Sequence, residues 1–102
     1  MLTVSRYRDI ILLKGMDRMP VLSRFYGITI RMYFLQKEHN PPHIHAIYGD
    51  DMAAIIIADG KVLEGDLPSK ALEMVREWIS LHKESLLAIW ETQDFKHLPP
   101  LE

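Results

Sequence analysis

The chain has no cysteine. Disulfides, thiolate metal sites and thiol nucleophiles are therefore excluded, and a reducing cytoplasm is the expected compartment. No apolar run approaches the roughly 20 residues that a membrane-spanning helix needs. The run near the start, Ile10 to Leu13, is also too short for a secretory core. Glycine is scarce, with five in 102 residues, and none falls in a phosphate loop, a nucleophile elbow or a dinucleotide fingerprint. Repeats and low-complexity segments are missing too. What remains is a single-domain length with 48% hydrophobic residues, enough for one core.

The net charge of −2 hides an asymmetry. Residues 1–48 carry seven Lys and Arg against three Asp and Glu, whereas residues 49–102 carry five against eleven. A basic N-terminal half could meet RNA, DNA or an acidic partner, or its charges could mix with the acidic half once the chain folds.

Hydrophobic spacing divides the chain into three parts. Residues 1–18 read unlike the rest, as an N-terminal extension with a short helix over 5–13. Residues 19–94 read as one α+β domain, and 95–102 as a tail. Within the domain, residues from Arg24 to Phe34 alternate. Tyr26, Ile28, Ile30, Met32 and Phe34 form a core set. Phe25, Gly27, Thr29, Arg31 and Tyr33 form a set left for solvent or function. His43 to Tyr48 reads as a second strand, Met52 to Ala58 as a third and central one, and Lys61 to Glu64 as a fourth. Asp59-Gly60 is expected to form a two-residue hairpin. The period then becomes helical, from Ser69, a plausible cap, through Trp78, Ile79, His82, Leu86 and Trp90, with a break near 81–85. The expected architecture is a three- to four-stranded antiparallel meander followed by one long or two consecutive helices packed on one face.

The chemistry concentrates in Glu38-His39-Asn40-Pro41-Pro42-His43-Ile44-His45. His43 and His45 are two apart, so an extended backbone directs them to one side, and they are expected to project together into solvent. Three readings stay open. A divalent metal could sit on His39, His43 and His45 with Glu38, although the spacing fits no standard zinc pattern and no other cofactor is called for. Metal-free acid–base cleavage of RNA could use His43, His45 and His39. Arg31 would then serve as the cation, and Arg24, Tyr26, Tyr33, Lys37 and Glu38 would contact substrate. Alternatively, the histidines hold a rigid loop in a non-catalytic binding module. The nucleotide-hydrolase histidine triad is excluded, because Ile47 stands where it needs a third histidine. His82, Trp78 and Trp90 fit the inward stripe of the helices better than a site, and His97 has no evident partner.

Met19-Pro20, Ser23 to Ile28, Ile30 to Phe34, His39-Asn40-Pro41-Pro42-His43-Ile44-His45-Ala46, Tyr48-Gly49, Gly65, Leu67-Pro68, Trp78, His82, Leu86 and Trp90 together resemble one bacterial family. It is the domain of unknown function numbered 4160. The resemblance implies the toxin of a two-gene toxin–antitoxin module, held by a small antitoxin-like protein from a neighbouring gene, but it supplies no reaction; interference with RNA or translation is the expectation from the His39, His43 and His45 surface. Relatives often have Asp before the first histidine where this chain has Glu38, and they usually begin near Met19, so the resemblance implies that residues 1–18 are an extension or an upstream start chosen in place of Met19.

Overall fold

The computed structural model describes residues 19–33 and 41–102. The expected helix over 5–13, and Phe34, Lys37, Glu38 and His39, lie outside these residues. Five strands form one antiparallel sheet in the order β1 (Val21–Phe25), β2 (Ile28–Arg31), β3 (His43–Tyr48), β4 (Asp51–Ile56) and β5 (Val62–Gly65). Two helices follow, α1 (Ser69–Leu81) and α2 (Lys83–Thr92). The fold is α+β as expected, with one strand more than the upper estimate.

The extra strand comes from a turn hidden in the alternation. Arg24 to Phe34 is not one strand. Phe25 pairs with Ile28, and Tyr26-Gly27 forms a two-residue turn between them. Both turn residues have positive φ, 49° and 80°, the combination that matches strand twist in tight hairpins. The turn brings Phe25 onto the core face with Ile28 and leaves Tyr26 61% exposed, which reverses both expectations for those residues. Tyr26 holds a left-handed conformation that Asn adopts more readily. Tyr26→Asn is expected to raise the unfolding free energy by about 0.5–1 kcal/mol, read as a higher urea midpoint. An unchanged or lower midpoint would mean that the tyrosine ring contributes more than the turn strain costs.

Three further details differ from the sequence reading. The middle strand is β3, not the third apolar run, which forms β4. The β4–β5 connection is a longer loop, closed by Gly60 N–H to Ile56 C=O at 2.8 Å and by Ile56 N–H to Lys61 C=O at 2.9 Å. Ser69 is the first helical residue and makes no cap bond; Pro68 occupies the N-cap. Proline suits the helix start because it gives up a donor the first turn cannot use.

One face of the sheet carries Ile28, Ile30, Met32, Ile44, Ala46, Ala53 and Ile55 into the core, where they meet Val75, Trp78, Ile79, Leu86, Ile89 and Trp90. Phe25 and Trp78 rings lie 5.7 Å apart. The helices break at His82, as the spacing suggested. Its N–H is shared between the Trp78 and Ile79 carbonyls, and its carbonyl accepts the Leu86 N–H that starts the next helix. Its ring lies 5.0 Å from that of Trp78. Residues 95–102 belong to the packed structure. Leu98 and Leu101 are buried, Leu98 N–H donates to Leu22 C=O at 2.7 Å, and Trp78 Nε1–H donates to Pro99 C=O at 2.8 Å.

Candidate functional site

Partners across an antiparallel ladder share a face. Arg31 pairs with His45, Thr29 with Ile47, and Arg24 with Thr29. Arg24, Thr29, Arg31 and His45 therefore stand on the face opposite Ile30, Ile44 and Ala46. Four rings are joined at the sheet end where β3 begins. Tyr33 stacks on His45, with centroids 4.0 Å apart and planes 8° apart. His43 meets His45 edge-on at 5.2 Å and Trp90 at 5.1 Å. His43 thus bridges the arginine face and the helical layer.

The Pro-Pro step builds this arrangement with acceptors alone. Proline has no N–H, but both carbonyls are used. Pro42 C=O accepts the Ile57 N–H at 3.0 Å and extends the β3–β4 ladder. Pro41 C=O accepts the proton on His43 Nδ1 at 2.9 Å, which fixes the ring as its Nδ1–H tautomer.

The rings do not project into solvent. His43 and His45 are each 1% exposed, so the expected open pair of imidazoles is corrected. Alternation placed the two rings on one side, but contacts from Tyr33 and Trp90 enclose them. Burial disfavours the charged form and pushes the His45 pKa down to about 3, with the neighbouring His43 adding to the shift. Burial lowers His43 as well, opposed by its bond to Pro41. Both rings are neutral at physiological pH, and His45 is too weak a base to draw a proton from a substrate hydroxyl there. Alanine at either position would leave a cavity, so neither change is a clean test of chemistry.

Arg31 is half-buried, and its Nη1–H donates to Met19 C=O at 2.6 Å. Its pKa is lowered by burial and then by the nearby charge of Arg24, with Tyr33 acting the other way. Arg24 is exposed. Among the described residues, neither guanidinium forms an ion pair. Among the described residues, therefore, two cations stand beside one another on the sheet without a carboxylate between them.

The remaining candidates lie elsewhere or outside the described residues. Tyr26 sits in the turn at the far end of the β1–β2 hairpin, beyond Ile28, which is itself three residues along β2 from the Arg31–His45 row, about 10 Å at the strand rise. His82 packs on Trp78, and His97 is exposed. Lys37, Glu38 and His39 lie outside the described residues, among which no group of three potential metal ligands occurs. Sequence reasoning missed the contact of Trp90 with His43 and the use of Met19 C=O by Arg31. Neither leaves a local pattern, because each joins segments remote in the chain.

Residues 27–91 match the family model described as domain of unknown function (DUF4160). The chain belongs to the DUF4160 family. The matched span runs from the Tyr26-Gly27 turn to the end of α2, so it contains the ring stack and Arg31 but stops short of β1 and Arg24. No curated protein matches the chain, and no solved structure does. Among the described residues of this DUF4160 domain, no helix is long and apolar enough to cross a membrane.

Proposed function

We propose that this DUF4160 domain is the toxin-like member of a bacterial two-protein module, and that it arrests growth by binding RNA without cleaving it. In this reading a small protein from a neighbouring gene covers the binding face when growth proceeds. The observation that carries it is the juxtaposition of Arg24 and Arg31, two cations on one sheet face with no carboxylate partner among the described residues. Holding like charges together costs energy that a polyanion relieves. Arg31, clamped by Met19 C=O, is pre-oriented, and exposed Arg24 is free to reach a neighbouring phosphate. The burial of His43 and His45 favours binding over cleavage.

Arg24→Glu is the cleanest variant, because the side chain is exposed. Fluorescence anisotropy with a labelled single-stranded RNA is expected to show binding that weakens with salt and falls about tenfold in the variant. The RNA should remain full length throughout. Absence of binding at low salt, RNA shortening, or an affinity indifferent to Arg24→Glu would end this reading. So would an acidic partner protein that depends on Arg24 while RNA is ignored.

A further inference from the structure

The two edges of the sheet are finished differently. The outer side of β1 is occupied by the C-terminal segment through the Leu98–Leu22 hydrogen bond. Beyond β5 no strand follows among the described residues, and Val62 and Leu63 on it are 36% and 40% exposed. Bare edges with apolar side chains are sites where another strand can add.

The bonds to β4 show which peptide groups face outward. Lys61 C=O accepts the Ile56 N–H, so it points into the sheet. All peptide bonds of the described residues are trans, and a trans unit directs its C=O and N–H to opposite sides. The Val62 N–H therefore points away from the sheet. Asp66 N–H donates to Met52 C=O at 3.0 Å, so the Gly65 C=O also points away. A donor and an acceptor stand on the open edge, three residues apart, with Lys61 just before them and Asp66 just after.

We propose that β5 pairs antiparallel with β5 of a second copy, about a twofold axis passing between Leu63 and Glu64. In this register Val62 lies opposite the partner's Gly65, and its outward N–H meets that residue's outward carbonyl. Lys61 lies opposite the partner's Asp66, and Leu63 crosses the stem of the partner's Glu64. The twofold axis repeats each contact. A one-residue slip would separate donor from acceptor and set Lys61 against Gly65 or Leu67, so hydrogen bonding and charge select the same register. The second copy is favoured over an unrelated strand because this edge complements itself in both respects. The result is a continuous ten-stranded sheet in which both arginine pairs face the same side.

Sedimentation velocity from about 1 to 500 µM should show a monomer–dimer equilibrium with a dissociation constant near 10–100 µM, fitting a short interface. Val62→Pro removes only the outward donor, and edge strands tolerate proline, so the variant should melt like the parent and stay monomeric. K61E should weaken the dimer about tenfold, and K61E combined with D66K should restore it. Should Val62→Pro fail to fold, the charge pair decides alone. A parent that stays monomeric throughout, a dimer that survives Val62→Pro, or a double variant no tighter than K61E would overturn the proposal.

Discussion

Acidifying the domain from roughly pH 7.5 to pH 5 is expected to lower its unfolding free energy by about 2 kcal/mol through His45 alone. The ring titrates near 6.5 in an unfolded chain and at about 3 in the fold, chiefly because it is buried. Between those values the unfolded chain takes up a proton that the folded chain refuses. The stabilisation is therefore complete above about pH 6.5 and is lost progressively as pH falls towards 3. The whole loss comes to about 5 kcal/mol, comparable with the total stability of a small domain. His43 acts in the same direction. Above pH 5 carboxylates stay largely ionised, so urea midpoints measured between pH 6.5 and 5 isolate the imidazoles. His45→Phe keeps a ring against Tyr33 and removes the titration, so it should flatten this limb while folding normally at pH 7.5. A parent whose midpoint is constant from pH 7.5 to 5 would show that the imidazole is not sealed from water.

Gly65→Ala is expected to cost about 3 kcal/mol or more and to lower the melting temperature by about 15 °C. A Cβ at this position would stand 2.1 Å from the Met52 carbonyl oxygen, which is backbone and cannot rotate away. That oxygen also accepts the Asp66 N–H, so relieving the clash means giving up the bond that ends β5. The positive φ of 78° adds strain for any L side chain. Gly49 supplies the control. Its φ is 62°, but a Cβ there would meet nothing within 4 Å, so Gly49→Ala should cost only about 1 kcal/mol. Thermal melts of the two variants side by side separate steric clash from backbone strain. Equal losses would place the whole effect in φ and none in the close approach to Met52.

Most of the fold was legible because strand and helix impose different periods. Ile28, Ile30 and Met32, the His43 to Tyr48 strand, and the helical stripe through Trp90 all follow from spacing. The β1–β2 turn escaped because Tyr-Gly is an uncommon hairpin pair and the alternation of residue types continues through it. An odd number of steps separates Phe25 from Ile28, yet the turn folds them onto one face. The candidate site divides in the same way. That Arg31 and Tyr33 share a side with His43 and His45 is a matter of local parity. That this side is enclosed depends on Tyr33 lying over His45 and Trp90 reaching His43. Those contacts join β2 and α2 to β3, and a sequence carries no local mark of them. Ser69 was misread because Ser after Pro looks like a cap, whereas Pro68 already supplies the turn into the helix.

The Leu22–Leu98 bond has a consequence for the order of folding. It joins β1 to a segment far along the chain, while the five strands pair only with their neighbours in sequence. Closing so long a loop costs more chain entropy than forming any hairpin of the meander, so the meander can form early and the segment around Leu98 docks late. A folding intermediate that holds the sheet without that segment leaves the outer side of β1 uncovered by it, and the last docking step covers it.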